Sequence, residues 1–251
     1  MKLRVCLAVI IGLLSINLIC PGAASAKTLD NQIVNDVSWP NCRATQTNLS
    51  VFGVIGVSGG LDFRNNPCLA KEATWFNHYA LYINTGYPGN SGALRFQNSP
   101  RSCLATDSLC LAYNYGYAAA ASAISYANSQ LVSSSSWWLD VETDNSWAAN
   151  YALNRYDLQG ALAAIGQLTF LSSVGVYSST YQWDSLTGSW INYLPAWVAS
   201  GSASKFTAVS YCDGHSFTGG QIWLSQYTTK LDDNLICTPA FPNSLSKLPS
   251  H

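Results

Sequence analysis

Trp137-Trp138-Leu139-Asp140-Val141-Glu142-Thr143 is the stretch from which the rest of the chain can be read. Apolar and β-branched residues interleave there with two acids, in the period-two pattern of a strand. Residues two apart on a strand face the same side, so Asp140 and Glu142 leave the sheet together. Neither has a lysine or arginine close by in sequence. Two neighbouring carboxylates without a counter-ion repel each other, which raises the proton affinity of one. One can then give a proton while the other stays ionised, the division of labour that glycoside hydrolysis needs. The non-catalytic alternatives are a calcium-binding pair, a solvated strand end, or an ion pair from Glu142 to Arg101 or Arg155.

Outward from this strand the chain alternates. Ile33–Ser38 reads as a first strand with Asp36 near its far end, and Val51–Val57 as a second, nearly continuous apolar strand. Asn66-Pro67 has the cap and first-turn residues of a helix, expected to run to about His78. Tyr79–Asn84 reads as a third strand, and a loop rich in Gly, Asn, Ser and Pro continues to about Ser108. Cys110–Tyr115 is expected to be the fourth strand, with an alanine-rich helix from Gly116 to about Leu131. The quoted stretch is the fifth. Asn154 or Asp157 caps the next helix, to about Leu171. Ser173–Tyr177 is the sixth strand, Pro195–Ala199 the seventh and Gln221–Gln226 the eighth, with Phe206–Tyr211 as an extra edge strand.

Eight strands alternating with helices in about 225 residues suggest an α/β chain folded as one (β/α)8 barrel. The chemistry of such a barrel sits at the C-terminal ends of its strands. Asp36, Tyr113, Tyr115, Asp140, Glu142, Tyr177, Trp197 and Gln226 collect at those ends, and the remaining interior should be Val, Ile, Leu and Ala.

Lys2 and Arg4, an apolar run from Val5 to Cys20, and Ala24-Ser25-Ala26 have the form of a signal peptide cleaved after Ala26. The expected product, residues 27–251, is a secreted single domain. It keeps 10 basic and 13 acidic side chains, a slight negative balance that gives no basic footprint for nucleic acid or anionic membranes. Its six cysteines point to disulfides. Pairing neighbours in order joins Cys42 with Cys68, Cys103 with Cys110, and Cys212 with Cys237. No C-x-x-C spacing occurs and histidines are few, so no zinc site is expected.

The strand ends DVS at Asp36, LDVE ending at Glu142, GVYS around Tyr177, WVA at Trp197, and IWLSQY leading to Asp232-Asp233-Asn234 come in the order found in glycoside hydrolase family 25, which the chain resembles. With its YNYG and WWLDVETxNSW strings it is similar to a divergent, secreted actinobacterial type within that family. The resemblance implies a distorted TIM-like barrel that cleaves the β-1,4 bond after N-acetylmuramic acid in peptidoglycan, with retention. It implies Glu142 as proton donor and Asp140 as the acid supporting the nucleophilic step, directly or by orienting the sugar's 2-acetamido group. Asp36 is then the acid on the floor, Asp232 the late aspartate with Asp233 as fallback, and Tyr113, Tyr177 and Trp197 line the sugar site. No metal or organic cofactor is implied, and a monomer acting on peptidoglycan or a related aminosugar polysaccharide is expected. Two departures stand out: the second strand ends GVSGG, and the loop from 85 to 110 carries a disulfide.

Other functions fit less of the chain. Gly56-Val57-Ser58-Gly59-Gly60 matches the G-x-S-x-G elbow of a serine esterase, with His215 or His251 downstream, but Leu61–Asn65 separate Ser58 from the next helix start. A chitinase-like enzyme would want a third acid at position 138, which is Trp. A non-catalytic glycan-binding barrel would have no use for the acids.

Overall fold

The computed structural model describes residues 33–44, 51–170, 172–229 and 231–241. The expected leader, Cys20 and His251 lie outside them. Within them, eight strands form a closed barrel in sequence order: β1 (Ile33–Val37), β2 (Phe52–Gly56), β3 (His78–Asn84), β4 (Ser136–Asp140), β5 (Ser173–Ser178), β6 (Ala196–Ala199), β7 (Ile222–Thr228) and β8 (Asp232–Ile236). Neighbours from β1 to β7 run parallel, whereas β8 is antiparallel to both β7 and β1. The three residues between β7 and β8 are too few for a crossover, so that connection is a hairpin. The helices are α1 (Leu69–Ala73), α2 (Asn90–Ala93), α3 (Ser108–Ser129), α4 (Tyr151–Leu168), α5 (Thr180–Thr187) and α6 (Lys205–Cys212).

The barrel expectation holds, with one exchange among its strands. Cys110–Tyr115 belongs to α3, where Asp107 accepts the Cys110 amide at 3.0 Å and caps the helix. Leu111, Ala112, Tyr115, Ala120, Ala123, Ile124 and Ala127 form its buried helical stripe. The vacated place is taken by β8, so Gln221–Gln226 falls in the seventh strand. Phe206–Tyr211 is no edge strand but lies in α6, whose cap Ser204 accepts the Thr207 amide. Asn66 Oδ1 accepts the Cys68 amide as expected of a cap, yet α1 begins only at Leu69 and ends at Ala73.

Strand alternation divides the core in two. Outward residues such as Ile55, Leu81, Leu139 and Val176 pack against Ile124, Leu158 and Ile165 of the helices. Inward residues Val34, Val54, Ala80, Trp138, Trp197, Leu224 and Ile236 fill the barrel with Phe241. This interior is more aromatic than expected: Trp138 meets the rings of Trp197 and Trp223 edge-on, with centroids 5.8 and 6.1 Å away. Gly175 faces Trp138 because a Cβ there would overlap the indole. The three disulfides join Cys42–Cys68, Cys103–Cys110 and Cys212–Cys237, the sequential pairing. No described helix is long and apolar enough to cross a membrane.

Candidate active site

Above Trp138 the inward positions turn polar. Asp36 of β1, Tyr82 of β3, Asp140 of β4 with Glu142 just beyond it, Tyr177 of β5, Trp197 of β6, Gln226 of β7 and Asp232 of β8 line one cleft of about 110 Å³ at the C-terminal rim. Four of these eight residues are acids and none is basic. Asp36 pairs in register with Asp232 across the β1–β8 ladder, and Asp140 with Tyr177 across β4–β5.

The floor is held by a continuous hydrogen-bonded chain. Trp197 Nε1 donates to Asn234 Oδ1 at 2.6 Å, and Asn234 Nδ2 donates to Asp36 Oδ2 at 2.8 Å. Gln226 Nε2 donates to the same carboxylate oxygen at 3.0 Å, while Tyr177 Oη donates to Gln226 Oε1 at 2.7 Å. Burial and the negative charge of Asp232 nonetheless push the Asp36 carboxyl up to about 8, against the two donated bonds. Asp140 is buried as well. Its Oδ2 accepts a hydrogen bond from Asn84 Nδ2, and its Oδ1 has no hydrogen-bond partner among the described residues. Burial, then Glu142 and Asp36, raise its pKa well above that of an ordinary aspartate.

Glu142 stands nearer solvent, at the mouth. Its carbonyl accepts from Trp147 Nε1 at 2.8 Å, and Gln182, in the first turn of α5, hydrogen-bonds its carboxylate. Burial and the charges of Asp144 and Asp232 raise its pKa, and the Gln182 bond opposes them. The arginines that could have neutralised it are engaged elsewhere. Arg155 donates to the Thr187 and Gly188 carbonyls, and Arg101 lies over the Tyr113 ring.

Seven of the nine expected site residues thus meet at one rim. Tyr113 and Tyr115 do not, because they ride on α3 rather than on a strand. Tyr115 is buried against Phe63, Tyr87 and Phe96 and donates to Asp62. Asp233, the fallback, faces away and accepts from Asn35 Nδ2 at 2.7 Å. Sequence reasoning missed Tyr82, Asn84 and Asn234, although each shares the inward phase of an acid or a core residue on its strand. Tyr82 is held neutral by burial beside Asp140 and Asp36, leaving its hydroxyl as a donor. Ser58 is buried at the C-terminal end of the barrel, where its Oγ accepts the Asn84 amide at 3.3 Å. His215 precedes β7, at the opposite end, so the two cannot form an esterase pair.

A family model described as Lysozyme-like protein 1 matches residues 64–220. No curated protein matches the sequence. Two solved structures are similar. One is a glycosyl hydrolase 25 of Streptococcus pneumoniae, GHIP, described as a virulence factor participating in host cell invasion. It is 17% identical, with a TM-score of 0.52 over 84% of this chain and 88% of its own. The other is a muramidase from Trichobolus zukalii, 13% identical, with a TM-score of 0.51 over 85% of this chain and 97% of its own. At these identities the likeness shows a shared fold.

Proposed function

Because the chain belongs to the Lysozyme-like protein 1 family and is a glycoside hydrolase, we propose that it is a secreted muramidase. It cleaves the β-1,4 bond after N-acetylmuramic acid in peptidoglycan, with retention. The observation that carries this reading is the ring of acids at one barrel rim, with no cation among the described residues that line it. Such a ring keeps protons at neutral pH, which suits an acid catalyst. Three disulfides support an oxidising destination.

Glu142, at the mouth, protonates the departing sugar oxygen as the bond to the anomeric carbon breaks. Positive charge then develops on that carbon. It reverses the electrostatic balance of the cleft and stabilises Asp140 and Asp36 as carboxylates, their protons passing to water. The unpartnered Oδ1 of Asp140 is the oxygen available either to bond the anomeric carbon or to hold the 2-acetamido group while its own oxygen attacks. Water opens the intermediate, and Glu142 recovers its proton from it.

Mass spectrometry of purified peptidoglycan incubated with the protein tests this, beside Glu142→Gln. New reducing-end muramic acid is expected, with turnover falling about a thousandfold in the variant and its fold unchanged. Reducing-end glucosamine would move the cleavage site. Binding to sacculi without products would replace the enzyme by a glycan-binding barrel.

A further inference from the structure

Trp39 and Arg64 stand on the same rim but take no part in the mechanism above. Trp39 follows Asp36 by three residues, at most about 10 Å of extended chain, and its side chain is half exposed. Arg64 is exposed in the loop after β2, and among the described residues no acid pairs with it. Together with Gly59, Asn65 and Pro67 they line a recess of about 130 Å³.

Both loops are fixed before any ligand arrives. Ser38 and Asn41 cap the turn that carries Trp39, and the Cys42–Cys68 disulfide ties that turn to the loop bearing Arg64. The Gly59 amide donates to the Arg64 carbonyl at 2.8 Å, and the Asn66 amide to the Val57 carbonyl at 3.0 Å. Gly60 has φ +86°, and a Cβ there would lie 3.1 Å from Trp39 Nε1. Only glycine adopts that backbone freely while leaving room for the indole.

A rigid aromatic face beside a guanidinium suits a pyranose ring that bears a carboxylate: the ring stacks, and the fork of donors takes the acid. The need for such a cation follows from the cleft itself, whose lining residues offer no basic side chain to an anionic strand. We propose that Trp39 and Arg64 form an outlying subsite that grips the aminosugar strand by a ring and its pendant carboxylate. It thereby selects anionic strands over neutral ones. This rests on the reading of the cleft as a glycan-cleaving site. The carboxylate belongs either to the lactyl group of a bare muramic acid or to an attached peptide.

Calorimetry on the Glu142→Gln protein, which leaves ligands uncut, provides the test. The probes are peptide-free glycan hexasaccharides with free lactyl carboxylates, the same chains amidated, peptide-bearing chains, and chitohexaose. Expected is tighter binding of a carboxylate-bearing chain than of its amidated or neutral counterpart. Adding Arg64→Gln should erase that preference at a loss of about tenfold, and Trp39→Ala should weaken all chains alike. A preference confined to peptide-bearing chains assigns the carboxylate to the peptide. Both side chains are exposed, so neither change empties the core. A preference that survives Arg64→Gln, or unaltered binding in Trp39→Ala, overturns the subsite. Failure of the unmodified protein to cut peptidoglycan sinks the muramidase reading while these comparisons still stand on their own.

Discussion

Asp36 receives two hydrogen bonds, yet keeps its proton far above the usual carboxylate range, because it is buried facing Asp232. The unfolded chain loses that proton near the ordinary value of 3.8 and the folded chain only near 8. Between those values the folded state binds more protons, so its stability is full below the lower value and declines as pH rises towards the upper one. Denaturant titrations across that window should show the decline. Asp36→Asn should flatten it and be the more stable protein at its alkaline end; an unchanged slope would contradict the burial argument. Asp144 acts on Glu142, the proposed proton donor, in the same sense, its charge raising that carboxyl's proton affinity. Asp144→Asn should therefore move the alkaline limb of kcat/KM to lower pH. Asp36, Asp140 and Glu142 were legible in sequence because they interrupt apolar strands in phase. Tyr82 and Asn84 were not, since a polar or aromatic residue in that phase reads as ordinary alternation.

The longest helices, α3 and α4, meet at their glycines. A Cβ on Gly116 would overlap the Asp157 carbonyl, and one on Gly160 the Tyr113 carbonyl. Gly160→Ala should therefore cost about 3 kcal/mol by forcing the helices apart, read as a lower denaturation midpoint. Gly166, on the same helix, faces open space, and Gly166→Ala should instead gain about 0.5 kcal/mol. Equal effects would mean that the crossing is not close-packed. The same contact explains where the sequence misled. Gly116 reads as punctuation between a strand and a helix, but it lies inside one helix for the sake of close approach. The short CLAYNY run before it alternates like a strand and only its Asp107 cap says otherwise. Strand β8 was hidden for a related reason. Its inward positions, Asp232 and Asn234, are polar because they face the cleft, which removes the apolar alternation by which strands are recognised.

At the scale of the molecule, two of the three covalent ties span 26 and 25 residues: Cys42–Cys68 holds the rim beside Trp39, and Cys212–Cys237 staples α6 to the end of β8. Each should contribute about 3 kcal/mol. Non-reducing peptide maps should recover the three sequential pairs, and reduction should lower the denaturation midpoint. The eightfold alternation that suggested a barrel survived the exchange of one strand because closure depends on strand number more than on which segment supplies each strand. The antiparallel entry of β8 between β7 and β1 also gives the protein an order of events. Asn234 clasps an aspartate synthesised 198 residues earlier, and Asp232 reaches the ring on the same strand. Until β8 is seated, Asp36 lacks both its Asn234 donor and its Asp232 neighbour. A cleft built this way is assembled last, when its final strand closes the barrel.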